Sequence, residues 1–232
     1  MSVLIVRGGW DGHEPVVCTE MFRDLLEARG HSVTVSDSLD VYTDKAVLDA
    51  ADLIVQCWTG GDLTPEQEDG LVGRVRDGAG FAGWHGGIVA FGYNAAKYQF
   101  MVGGRFIFHP GGIIDHRVDI VDGRDPIVAG LESFGIRTEQ YYCHVDPRLN
   151  VLATTTFDGG HGEPDTAGVV MPVVWTRNFG DGRVFVSTLG HSPADLRVPQ
   201  VRTLTERGLL WAAGEAVLSR TTNSVSSTPP SA

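Results

Sequence analysis

The chain has 232 residues, 18 Lys plus Arg against 29 Asp plus Glu, and a net charge of −11. That acidity argues against nucleic acid or an anionic membrane as the main partner, because both reward clustered Lys and Arg. A hydrophobic content of 42% supports a sizeable core and excludes global disorder. The three cysteines, Cys18, Cys57 and Cys143, are far apart and form no CxxC, so neither a disulfide framework nor a zinc ribbon is expected. No apolar stretch approaches the roughly 20 residues of a membrane helix, and the first residues read as a strand rather than a signal peptide. The expected setting is a reducing cytoplasm.

The first half of the chain alternates between strands and helices. Residues 3–6 form a buried strand candidate, followed by the loop Gly8-Gly9-Trp10-Asp11-Gly12-His13. Pro15 opens a helix at the favoured first position, with Val17, Met21 and Leu25 at fourth-residue spacing, Phe22 and Leu26 beside them, and Gly30 as the stop. A second strand follows at 31–35, then a short helix capped by Thr43 or Asp44, then a third strand at 53–57. Thr64-Pro65-Glu66-Gln67 is a strong helix start, and that helix runs to Asp77. A fourth strand, 80–84, leads into His85-Gly86-Gly87. This order implies βαβ units and a parallel sheet.

The second half reads as short strands at 106–108, 116–121, 151–156, 172–176 and 183–187, with a hairpin turn at 178–182 and an amphipathic helix at 198–213. The predicted architecture is one α/β domain over 1–217, with a mainly parallel central sheet and added antiparallel strands. The Ser-, Thr- and Pro-rich stretch 218–232 is expected to be a disordered tail.

Eight histidines occur, and His13, His85, His109 and His191 each follow a predicted strand. In an open α/β sheet the ligand crevice lies beyond the carboxyl ends of the strands, so these four are expected to converge. One histidine after a strand is usually a packing or turn residue; four sharing the placement point to a site. The segment Thr138-Glu139-Gln140-Tyr141-Tyr142-Cys143-His144-Val145-Asp146 adds two acids and two tyrosines, of which one is expected to face the core. His31 reads as a surface residue, and His116 and His161 as structural or solvated. The expected catalytic set is His13, His85, His109, Glu139 and His191. Trp10, Asp11, Trp58, Gln99, Tyr141 and His144 are expected to bind substrate, with Trp84 a further stacking surface.

Neither G-x-G-x-x-G nor G-x-x-x-x-G-K-[ST] is present, so no nucleotide cofactor is expected. Gly83-Trp84-His85-Gly86-Gly87 has the strand–turn–helix form of a nucleophile elbow, but with His where Ser or Cys would attack. Covalent acyl chemistry there is disfavoured. A histidine at that point can be a base, a donor or a metal ligand. His85, His109 and His191 with a carboxylate suit Zn²⁺ or Mn²⁺; the alternative is that they hydrogen-bond a sugar directly or each other.

The stretches GGWDGHEP (8–15), CWTGGDLTPEQ (57–67), GWHGG (83–87), YQFMVGGRFIFHPGG (98–112), EQYYCHVDP (139–147), NVLATTTF (150–157), MPVVWTRNFGDGRVFVSTLGH (171–191) and RGLLWA (207–212) together resemble the trehalose utilisation family, ThuA. The resemblance implies a flavodoxin-like, class I glutamine amidotransferase-like three-layer fold and a role in disaccharide catabolism through oxidised, 3-keto sugars. It does not imply glutamine hydrolysis, because His85 stands at the elbow and Gly190-His191-Ser192-Pro193 replaces a late His-x-Glu pair. Three readings follow. The chain is an isomerase, lyase or hydrolase of a small carbohydrate; or a non-catalytic sugar-binding or regulatory protein; or, least supported, an amidase. Assembly into a homo-oligomer is left open.

Overall fold

The computed structural model describes residues 1–217, and the expected tail lies outside the described residues. β1 (Ser2–Gly9), α1 (Pro15–Ala28), β2 (Ser32–Ser36), α2 (Lys45–Ala50), β3 (Leu53–Thr59), α3 (Pro65–Arg76) and β4 (Gly80–Trp84) follow the βαβ order read from the sequence. β4 leads into a single turn, α4 (Gly86–Val89), and then α5 (Ala96–Val102). β5 (Gly104–Phe108) and β8 (Tyr142–Val145) pair as a separate antiparallel ribbon. β6 (Ile113–Ile120), β7 (Phe134–Glu139), β9 (Asn150–Thr156), β10 (Val170–Phe179) and β11 (Gly182–Ser187) continue the main sheet. A short α6 (Pro193–Leu196) precedes α7 (Pro199–Ala212).

The main sheet has nine strands in the order β2-β1-β3-β4-β11-β10-β9-β6-β7. Five of them, β2 through β11, are mutually parallel, and the other four are antiparallel. The parallel part has the 2-1-3-4-5 order of flavodoxin-like folds. Strand alternation builds the two outer layers. On β1, Val3 and Ile5 face a core shared with Phe22 of α1 and Leu204 of α7, whereas Leu4 and Val6 face one shared with Leu71 of α3 and Met101 of α5. Each such side chain contributes about 1.5–3 kcal/mol through removal from water.

Local chemistry explains the helix ends. Asp44 accepts from Ala46 and Val47 backbone amides, and Thr64 with Gln67 closes a capping box. On α1 the buried stripe is Cys18, Phe22 and Leu26, one position on from the expected Val17, Met21 and Leu25, with Val17 exposed. α5 and β7 were not foreseen. α5 has no side-chain cap at its start, and β7 is an edge strand with Gly135 and Arg137 on its exposed side.

Two histidine expectations are corrected. His31 is not a surface residue: its side chain is 8% exposed, with Nε2 2.9 Å from Glu215 Oε1. His116 lies inside β6 rather than at its start, half-buried beside Thr155 Oγ1 at 3.3 Å.

Candidate functional site

Three parallel strands deliver histidines to one end of the sheet. β1 runs into a single helical turn ending at His13, β4 ends one residue before His85, and His191 lies four residues past β11. β7 ends at Glu139. One ligand atom from each of His13, His85, Glu139 and His191 lies within 4.8 Å of the others. Among the expected residues, these four form the tight group.

His85 occupies the turn after β4 with φ 51° and ψ −146°. A side chain in this region costs on the order of 1–3 kcal/mol and persists only when its surroundings hold it. Two bonds do so: its backbone N–H donates to Ser187 O at 2.7 Å, and its Nδ1 faces Thr188 O at 2.8 Å. Glycine next door makes room, since a Cβ at Gly86 would lie 2.6 Å from His13 Cε1. His13 is held in turn by Thr59 Oγ1, 2.8 Å from its Nδ1. The rings of His13 and His85 meet edge to face at 4.6 Å.

The partners fix the His85 tautomer. A carbonyl only accepts, so Nδ1 carries the proton and Nε2 of the neutral ring is a lone pair. That lone pair is 3.0 Å from Glu139 Oε2 and 2.8 Å from the Tyr141 hydroxyl oxygen, whose proton has the Glu139 carboxylate as its other acceptor. His191 Nδ1 lies 3.3 Å from the same carboxylate oxygen and is buried without an aligned hydrogen bond.

Burial pushes His13 down to about 3, with the neighbouring His85 and His191 acting in the same direction. Burial also lowers His85, against the pull of Glu139 and the Thr188 carbonyl. The Glu139 carboxyl is raised by burial but more strongly lowered by His191 and His85, and ends far below the ordinary carboxylate range. His191 is raised, chiefly by Glu139. The site therefore holds two imidazoles kept neutral, one carboxylate kept charged, and one imidazole biased toward its cationic form.

The other expected residues fall into three groups. His109 comes off β5 in the ribbon, not off the parallel sheet; it is outside the four-atom group, with Nε2 3.6 Å from Glu139 Oε1 and a 37% exposed side chain. Its ring and that of Tyr141 lie nearly parallel at 6.0 Å. Tyr141 is the inward-facing tyrosine, whereas Tyr142 packs on Phe108 and Phe157. Trp10 stands at the mouth, 58% exposed, edge-on to His13 at 4.7 Å, with Asp11 exposed in the same turn. Trp58 is half-buried and its ring fills the space over Gly8. Trp84 offers no stacking surface, because it is 1% exposed and packed on Phe22.

Gln99 and His144 are not with the cluster. Gln99 donates to Phe91 O and Gly92 O, and Gln99 and His144 line a separate cleft of about 410 Å³ with Tyr93 and Arg105. Alternation on β8 sends Cys143 inward and His144 outward. The polar partners that lock the histidines, Thr59 and the Thr188 carbonyl, escaped sequence reasoning. Both sit at or just past the carboxyl end of a parallel strand, so the rule that located the histidines extends to them.

The sequence model of the ThuA family, described as trehalose utilisation, matches residues 2–212. The chain belongs to the ThuA family. That membership supports a role in sugar utilisation. A search of curated proteins finds no match. Among solved structures, a ThuA-like protein of Parabacteroides merdae ATCC 43184 superposes with a TM-score of 0.73 at 17% identity, over 94% of this chain and 92% of that one. A ThuA-like protein of Bacteroides uniformis ATCC 8492 gives 0.71 at 16% identity, over 90% of each chain. A cytoplasmic protein of Salmonella typhimurium LT2 gives 0.62 at 14% identity, over 92% of this chain and 98% of that one. At these identities the likeness concerns the fold, which agrees with the flavodoxin-like ThuA architecture described above. Among the described residues no helix is long and apolar enough to cross a membrane.

Proposed function

We propose that this ThuA-family protein is an enzyme acting on an oxidised sugar, a 3-keto-glycoside, at a divalent cation held by His13, His85, Glu139 and His191. The observation that carries this reading is the facing of the His85 Nε2 lone pair and the Glu139 carboxylate across 3.0 Å. Two electron-rich groups at that distance need positive charge between them. A proton on His85 is opposed by burial, which leaves a metal ion as the better-fitting occupant. Neutral imidazoles with one carboxylate are the donor set of Zn²⁺ and Mn²⁺, and the buried His191 Nδ1, 3.3 Å from Glu139 Oε2 without an aligned hydrogen bond, is a further donor once a cation displaces its proton. His13 thus takes the place in the ligand set that sequence reasoning gave to His109.

The chemistry follows from the substrate class. A ketone at C3 acidifies the hydrogen on C2, and the glycosidic oxygen on C1 is then positioned to leave by β-elimination. A bound cation would polarise the ketone oxygen. His109, partly exposed beside the free Glu139 Oε1, suits removal of the C2 proton. The Tyr141 hydroxyl, buried against His85 and Glu139, suits donation to the departing oxygen. Trp10 and Asp11 at the mouth suit the sugar ring, with a flat apolar face and a carboxylate acceptor.

A second reading, a sugar-binding or regulatory protein without turnover, is favoured by one observation: the elbow carries no nucleophile. Incubating the purified protein with 3-keto-trehalose and analysing its metal content separates the two. Turnover together with stoichiometric zinc or manganese is expected. Saturable binding without turnover would replace the enzyme by the binding protein, and ammonia release from glutamine would overturn both.

A further inference from the structure

Two members of the cluster stand on backbone that the sheet pairs on one side only or not at all. β7, which ends at Glu139, is an edge strand bonded only to β6. His191 lies in the loop between β11 and α6, after Gly190 with φ 107°. Main-chain pairing alone therefore does not fix the distance between the Glu139 carboxylate and the His191 ring, and a shift of 1 Å there would change what the pair can hold.

Asp195 bridges the two. It is 8% exposed, near the start of α6, and accepts from the Thr138 hydroxyl through Oδ2. Its Oδ1 lies 3.4 Å from Ser192 Oγ, and its backbone N–H donates to that same hydroxyl. Thr138, 1% exposed, immediately precedes Glu139, and Ser192 immediately follows His191. One buried carboxylate thus reaches the neighbours of both site residues and touches neither residue of the pair itself. The Asp195 backbone N–H completes the Ser192 cap of the four-residue α6, but a cap needs no buried carboxylate, and a buried carboxylate is costly unless it is bonded.

We propose that Asp195 is a positioning residue: by holding Thr138 and Ser192 together it sets the separation of Glu139 and His191. The proposal rests on the reading that those two side chains act on one bound cation. Partners bonded directly to metal ligands are worth roughly 10–100-fold in metal affinity, and a residue acting one bond further out is worth less.

The test uses the full chain with Thr138→Val, which removes the donor at nearly constant volume, and Thr138→Ser, which restores a hydroxyl. Two properties are read. The first is the imidazole ¹⁵N–¹H correlation spectrum of the metal-free protein; the second is the affinity for Zn²⁺ alone by titration calorimetry. Thr138→Val is expected to move the His191 ring resonances while leaving those of His31 and His161 in place, and to weaken zinc by up to about 10-fold. Thr138→Ser is expected to return both toward the wild type. Asp195→Asn keeps one acceptor oxygen and is expected to shift the same resonances by less, so it serves if Thr138→Val does not fold. Unmoved His191 resonances in the folded variants would overturn the proposal. Wild-type protein that takes up no zinc would remove the cation reading, while the ring resonances would still decide the role of Asp195.

Discussion

His13, His85 and His191 leave the ends of the parallel strands β1, β4 and β11, whereas Glu139, Tyr141 and His109 come from the antiparallel addition and its ribbon. The two regions contribute different electrostatics. The parallel part buries His13 and His85 against strands packed on both faces, and burial holds both rings neutral. The addition brings the carboxylate, and that carboxylate is what raises His191. Lone pairs are thus presented by the parallel half of the sheet, and charge is brought in by the antiparallel half, from its edge strand β7. Affinity and charge at the site can then be altered separately, from opposite sides.

The largest expected effects come from removing one contribution at a time. His85→Ala should abolish stoichiometric zinc and lower turnover of 3-keto-trehalose on the order of 10²–10⁴-fold. Glu139→Gln keeps the shape and removes the charge. It should also cost at least about 100-fold, and the His191 pKa, read by ring NMR against pH, should fall back toward its ordinary value. A His191 pKa unmoved by Glu139→Gln would break the division of labour described above. His109→Ala removes the proposed base and should lower turnover on the order of 10²-fold, but leave zinc content unchanged because His109 is outside the four-atom group. Loss of zinc in that variant would put His109 in the ligand set.

A smaller effect concerns stability. His13 falls from an ordinary 6.5 to about 3 in the folded protein. Above 6.5 both folded and unfolded forms are neutral there and the group contributes nothing. Below 6.5 the unfolded chain takes a proton that the native ring refuses, so stability is lost progressively toward about pH 3. His191, raised by Glu139, acts with the opposite sign: it stabilises below 6.5 and loses that contribution as pH rises through its folded value. His13→Asn should therefore flatten the acid limb of the unfolding midpoint between pH 6.5 and 4. An acid limb as steep as that of the wild type would show that His13 ionises freely. The smallest effect is a control within the parallel half, where Thr64→Ala should cost about 1 kcal/mol in chemical denaturation and leave zinc binding untouched.

The same two regions differ in how legible they were. β1, β3 and β4 read as strands because they are short apolar runs between turn residues, and α3 announced itself through Thr64-Pro65-Glu66-Gln67. The convergence of His13, His85 and His191 followed from topology, since parallel strands send their carboxyl ends the same way. No comparable rule covers the addition. Phe134, Ile136 and Thr138 do alternate inward on β7, but Gly135 and Arg137 between them conceal an edge strand. Glu139 was found because it sits beside Tyr141 and Tyr142 in sequence, and that same proximity wrongly drew in His144, which the pleat of β8 turns outward. Asp195 escaped notice because a buried carboxylate joining β7 to α6 has no local signature, being 57 residues from Thr138.

The central claim is that lone pairs from the parallel strands and the Glu139 carboxylate enclose one cation. The most direct measurement is anomalous diffraction at the zinc edge from crystals of the protein equilibrated with Zn²⁺. The account predicts a single strong peak among His13, His85, Glu139 and His191, absent from His85→Ala crystals treated the same way. A Tyr141–His85–Glu139 contact unchanged in the presence of zinc, with no peak between those side chains, would contradict it.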